Sequence, residues 1–229
     1  MKCIAVLMAL GVAGLAQAPE PTYQDARAAL QKRDFETAAK ILRPLAEGGM
    51  ARAQCTLGGM YASGLGVPQS YTEAVNWFQK SAAQGFAEAQ ANLGIATGNG
   101  QGIAKDEAQA AIWFRKSAEQ GYPPGQYYLG NLYRYGIGVK KSTEDALNWL
   151  RKSADQGFRG AWTSLGEMYD QGEGVVVDPV EAYKWLVLAA VQGDEEARQY
   201  IVGVNSRLTP AQVDQAKKAA QEWSRSHAK

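Results

Sequence analysis

Apolar positions along this chain fall on a helical period, and the helical pattern itself recurs at a longer one. Ala53, Leu57 and Tyr61 stand at i, i+4 and i+8, one stripe of an α-helix. Gly64-Leu65-Gly66 ends that stripe, and Val67 returns an apolar side chain against it. A second stripe opens near Ser70 to Thr72 and runs to Gln84, with Ala74, Trp77, Phe78 and Ala82 facing inward; Gly85 closes it. The pair of stripes then begins again. Trp77, Trp113, Trp149 and Trp185 are each 36 residues apart (113 − 77 = 149 − 113 = 185 − 149 = 36). Leu57, Leu93, Leu129 and Leu165 keep the same step, as do Gly58, Gly94, Gly130 and Gly166. So do the loop pairs Gly64/Gly66, Gly100/Gly102, Gly136/Gly138 and Gly172/Gly174.

A fixed period of this length marks a solenoid, because one helix pair cannot bury its apolar face alone and stacks on copies of itself. The pattern predicts an all-α fold, an α-solenoid of antiparallel helix-pair repeats with about 12 helices. Residues 19–50 read as a degenerate N-terminal repeat, with Ala38, Ile41, Ala46 and Gly49 one period before Ala74, Trp77, Ala82 and Gly85. Four 36-residue repeats fill 51–194, and 195–229 supplies C-terminal capping helices, the last starting with Thr209 as N-cap and Pro210 at its first turn. Glycine inside a helix costs about 1 kcal/mol relative to alanine. The recurrence of Gly58 and its equivalents therefore calls for a packing reason, such as close approach of another helix. The tryptophan is expected to supply most of the buried area of each unit.

The N-terminus does not repeat. Met1-Lys2, an uncharged apolar run from Cys3 to Leu15, and Ala16-Gln17-Ala18 have the layout of a secretory signal peptide over residues 1–18. The run is shorter than the roughly 20 residues a transmembrane helix needs, and no later segment is a candidate span. Export is the expectation, to the periplasm first and to the medium second. Only Cys55 would remain after cleavage, so an internal disulfide is excluded; the thiol is either covered and inert or paired between molecules. Charge is balanced, 24 Lys and Arg against 23 Asp and Glu, with no basic run of the kind nucleic acid requires.

Each unit carries Ala, Leu-Gly, Tyr, Gly-x-Gly-Val, Ala, Trp, Ala and Gly in that order, which resembles the Sel-one-like repeat, a relative of the tetratricopeptide repeat. The resemblance spans residues 53–193 most specifically, and the Leu208-Thr209-Pro210 to Trp223 segment is similar to the closing segment of exported bacterial members. It implies a right-handed superhelix with a concave inner face, and an adaptor role in bacterial envelope or host-contact processes. Some secreted relatives carry a cysteine pair per repeat and are described as penicillin-binding or β-lactamase-like. This chain lacks those pairs and has no Ser-x-x-Lys supported by the companion motifs, so that activity is not carried over.

The residues bring little chemistry of their own. The one histidine, His227, lies in the tail, which removes Ser-His-Asp, Cys-His and most zinc sites. Gly98 to Gly102 lacks the Lys-Ser/Thr of a phosphate loop, and Glu167, Asp170 and Glu173 read as solvated charge at a helix end. No catalytic residue, cofactor or metal site is expected. If the first helices line the groove, as in tetratricopeptide arrays, its variable positions flank each Leu-Gly pair. In the fourth unit these are Tyr127, Asn131, Arg134 and Tyr135; in the fifth, Thr163, Glu167, Asp170 and Gln171. The second and third units have smaller ones, Cys55, Gly59, Ala62 and Ser63, then Ala91, Ile95, Gly98 and Asn99. Two tyrosines, expected exposed, beside an arginine have hot-spot composition. Units four and five are therefore the expected contact for an extended or helical segment of a partner protein. The function expected is a non-catalytic exported scaffold. A cell-wall or β-lactam-directed hydrolase and a secreted effector acting on a host protein are the alternatives.

Overall fold

The structure, a computed structural model, describes residues 21–227; the expected signal peptide, 1–18, lies outside them. Among the described residues there are twelve helices and no strand. The first pair is α1 (Tyr23–Gln31) and α2 (Phe35–Glu47), followed by α3 (Ala51–Ser63) with α4 (Tyr71–Ala83) and α5 (Ala87–Asn99) with α6 (Glu107–Glu119). Then come α7 (Pro123–Tyr135) with α8 (Thr143–Ala154), and α9 (Arg159–Gln171) with α10 (Pro179–Val191). The chain closes with α11 (Glu195–Asn205) and α12 (Pro210–Ser226). Each helix of the repeats packs on the one before and the one after. Successive odd helices, from α5 through α7 and α9 to α11, also touch one another and so line the inner side of the stack. α12 leaves this alternation and folds back on α10.

Local sequence sets the boundaries. The hydroxyl of Ser70 and the carboxylate of Asp106 accept from the backbone N–H three residues on, at 3.2 and 2.9 Å; Ser142 and Asp178 do the same for α8 and α10. Helices α3, α5, α7 and α9 end on a left-handed glycine, Gly64 at φ 68° being the first. The second glycine of each loop has a different task. A Cβ on Gly66 would lie 2.2 Å from the carbonyl oxygen of Phe35, and one on Gly102 would lie 2.3 Å from that of Tyr71. The loop of one repeat thus rests on the start of the preceding even helix, with no room for a side chain.

The recurring helical glycine has its packing reason too: a side chain of the facing helix fills the notch, with that helix's backbone close behind it. A Cβ on Gly58 would meet the Phe78 ring at 2.7 Å, and one on Gly94 would meet Phe114 at 2.9 Å. Gly130 and Gly166 receive Leu150 and Leu186 in the same way, at 2.8 and 2.6 Å. The residue after each tryptophan is therefore the plug of the repeat. Trp77 and Trp185 are buried, but Trp113 and Trp149 are only partly covered. Their outer faces carry ammonium groups: Lys116 lies 4.4 Å from the Trp113 ring centre and Lys152 lies 4.2 Å from that of Trp149. Tryptophan is thus buried in units two and five and partly covered in units three and four.

Polar side chains tie the repeats together. Gln84, Gln120 and Gln156 donate to the carboxamides of Gln54, Gln90 and Gln126, which in turn donate to the end of the preceding even helix. In the fifth unit Trp162 replaces the glutamine. Its indole Nε1 donates to the Ala154 carbonyl at 3.0 Å, while its ring meets Trp223 of α12 edge-on at 5.3 Å. Trp185 meets the same Trp223 at 5.8 Å. On the outside, Arg43, Arg115 and Arg151 donate to the hydroxyls of Tyr61, Tyr133 and Tyr169. The link between the second and third units lacks both partners: Gln79 stands for the arginine, and Thr97 is buried and donates to the Leu93 carbonyl instead.

Candidate protein-binding groove

The eight residues singled out on units four and five all lie on the inner helices α7 and α9, but most of them bond to the next repeat. Arg134 is 2% exposed. Its guanidinium donates to both oxygens of Glu173, at 2.8 and 2.9 Å, and to Glu167 at 2.6 Å. Burial works against its charge, but the bonds to Glu173 and Glu167 outweigh it and raise the pKa. The same bonds hold the Glu173 carboxyl below its ordinary range. Arg134 is thus a structural clamp between units, which corrects the expectation of an arginine free for a partner.

The others follow suit. Asn131 accepts from Ser164 at 3.3 Å, and the buried Thr163 donates to Asp194 at 3.0 Å. Asp170 pairs with Arg207, and Gln171 donates to the Tyr200 hydroxyl at 3.0 Å. Tyr127 is half-buried, its ring 5.1 Å from those of Tyr128 and Phe158, so only one of the two tyrosines is exposed as expected. That one is Tyr135, at 57% exposure, with the Arg134 guanidinium 5.0 Å from its ring centre.

Open space lies elsewhere on the same face. A slot of ≈ 230 Å³ opens between α3 and α5, lined by Gly59, Ala62 and Ile95 and floored by Ala74 and Phe78. A second, of ≈ 340 Å³, opens between α5 and α7, lined by Ile95, Gly98 and Leu132 and floored by Ala110 and Phe114. The second slot is the first moved along by one repeat. Ala62 becomes Gly98, Phe78 becomes Phe114 and Ala96 becomes Leu132 (98 − 62 = 114 − 78 = 132 − 96 = 36). One further step brings Gly98 to Arg134 and Ile137 to Glu173 (134 − 98 = 173 − 137 = 36), the pair whose ion bridge fills the equivalent position. Small side chains leave the slots open in units two and three, and a salt bridge closes them in unit four. Sequence reasoning named Gly59, Ala62, Ile95 and Gly98 only as the smaller variable positions. Their smallness was the available signal.

No group of three or more His, Cys, Asp or Glu side chains capable of holding a metal occurs among the described residues. Cys55 is buried behind the first slot, its thiol pushed up to about 12 by burial, with Glu88 adding to the shift. No helix among the described residues is long and apolar enough to cross a membrane.

Comparison with known proteins agrees with this architecture. The Sel1 repeat profile matches residues 51–86, 87–122, 123–158 and 163–194. The crystal structure of a Sel1 repeat protein from Oxalobacter formigenes superposes with a TM-score of 0.74 at 31% identity, covering 87% of this chain and 82% of that one. Immunity protein Pa5087 from Pseudomonas aeruginosa shares the fold at 24% identity and a TM-score of 0.56, covering 90% and 80% of the two chains. Immunity protein PA5088 from the same organism does so at 18% and 0.57, covering 89% and 83%. No curated protein of similar sequence was found. With its repeats matched over more than half its length, this chain belongs to the Sel1 repeat family, whose scaffold is typical of protein-interaction modules.

Proposed function

We propose that this protein is an exported, non-catalytic adaptor that holds a segment of a partner protein in the concave face of its repeat array, within the bacterial envelope. The observation that carries the reading is the pair of apolar slots on the inner helices, one repeat apart, each floored by an aromatic ring and left open by a small residue, Ala62 or Gly98. Interfaces draw their energy from side chains anchored in such desolvated recesses. The N-terminal apolar run and Ala16-Gln17-Ala18 support export.

The test is site-specific photocrosslinking in intact cells from position 99 at the mouth of the second slot, read by mass spectrometry after separating periplasm, cytoplasm and medium. A discrete protein crosslink in the periplasmic fraction is expected, and Gly98→Leu is expected to abolish it. A crosslink unchanged by that substitution, or a chain retained in the cytoplasm with its leader uncut, refutes the corresponding half. Turnover of a chromogenic β-lactam or of peptidoglycan by the pure protein would refute the non-catalytic reading.

A further inference from the structure

We infer that the segment held in this groove is an extended, polyproline-II-like peptide with two bulky apolar residues three positions apart and a basic residue three positions beyond, seated over unit four. The inference rests on the inner face being the binding surface. The two slots flank α5 one repeat apart, and α5 touches α7, so the step between slots is about 10 Å, the usual spacing of packed helices. A polyproline-II chain rises about 3.1 Å per residue with three residues per turn, so every third side chain points the same way at about 9.3 Å. A β-strand turns its third neighbour to the opposite face. The slot volumes suit one side chain each. An extended chain also presents unbonded backbone amides, and the carboxamides of Gln101 and Asn99 stand at the two slot rims to meet them.

Charge complementarity fixes the third position. One step beyond the second slot, Arg134 stands among Glu167 and Glu173, whose side chains keep 18% and 25% exposure. Glu196 adds a third carboxylate whose field reaches both Tyr127 and Tyr135, and its neighbour Glu195 is the one that pairs with Arg198. Lys141 also acts on Glu173, so the local sum is 2 − 3 = −1, arranged around the exposed ring of Tyr135. A ligand ammonium or guanidinium there gains both carboxylate attraction and an aromatic face.

The experiment measures fluorescence anisotropy of labelled serine-background peptides carrying two leucines three positions apart and a lysine three positions beyond, at either end. One orientation is expected to bind at least tenfold tighter than peptides with leucines two or four positions apart. It is also expected to bind at least tenfold tighter than the same peptide with glutamate for lysine. Ala62→Leu and Gly98→Leu, checked for folding by circular dichroism, are expected to lower that affinity at least tenfold. Tyr135→Ala with Glu196→Gln should remove only the preference for lysine. Indifference to leucine spacing, to lysine or to the slot-filling substitutions overturns the inference. If no peptide binds while Gly98→Leu still abolishes the crosslink in cells, the extended motif falls and the groove reading stands. If neither responds, both fall.

Discussion

Two adjacent glycines in α3 separate packing from propensity. Gly58 and Gly59 lie in the same turn of the same helix, and alanine at either gains about 0.8–1.0 kcal/mol of helix propensity. At Gly59 nothing lies within 4 Å of the added methyl, so Gly59→Ala is expected to stabilise by nearly that full amount. At Gly58 the methyl would stand 2.7 Å from both Cδ1 and Cε1 of Phe78 and 3.2 Å from the Ala74 carbonyl oxygen. Phe78 is itself buried and cannot swing clear. Overpacking of this kind costs about 1–3 kcal/mol, so Gly58→Ala should come out between neutral and about 2 kcal/mol destabilising. The two variants should therefore differ by about 1–3 kcal/mol, or roughly 2–12 °C in Tm at 2–4 °C per kcal/mol for a chain of this size. Thermal and urea unfolding followed by circular dichroism measures this directly. The background Phe78→Ala supplies the control, since with the ring gone Gly58→Ala should stabilise. Equal stabilisation by Gly58→Ala and Gly59→Ala in the native background would refute the notch-and-plug account.

Phe114→Ala should cost about 3–5 kcal/mol as a buried aromatic truncation, while Trp113→Ala, partly covered beneath Lys116, should cost less, about 1.5–3 kcal/mol; urea titration of the two ranks them. Arg134→Met leaves two partly buried carboxylates facing each other and should destabilise by about 2–4 kcal/mol. Because Glu173 is held below its ordinary 4.5, its contribution is present above that value and is lost as pH falls through the depressed one. The wild type should therefore lose stability below about pH 4.5 by an amount that Glu173→Gln reduces, as melts across pH 3–7 would show. The buried Cys55 thiol should stay unreactive toward a disulfide reagent at pH 8 and react at once in denaturant, so fast labelling of native protein would contradict its burial.

Most of the fold was readable because the same physics is written four times. The Leu57 stripe, the Gly64 stop and the Thr209 cap before Pro210 are local signals, and α3 ends and α12 begins where they point. What misled was magnitude and distance. Tryptophan has the largest apolar surface, yet Trp113 and Trp149 are only partly covered where Trp77 and Trp185 are buried, and a helix-period count cannot tell a rim from a core. The groove was harder still. Arg134 looks free in its own repeat because its partners are 33 and 39 residues away, in the next one. The slots at Ala62 and Gly98 exist through missing atoms, which leave no pattern except small residues at variable positions.

The exchange of glutamine for Trp162 has a consequence for how long the molecule can be. In three repeats, a carboxamide at this position stays within its own unit and the end of the previous helix, leaving the outer wall free. At 162 an indole reaches outward to Trp223 and gives α12 its seat beside α10. Together with Leu188, buried where the earlier units carry Lys80, Lys116 and Lys152, Trp162 distinguishes a unit that ends the row from one that can be followed by another. A duplication lengthening this protein would have to fall upstream of that tryptophan, or carry it along to the new final unit.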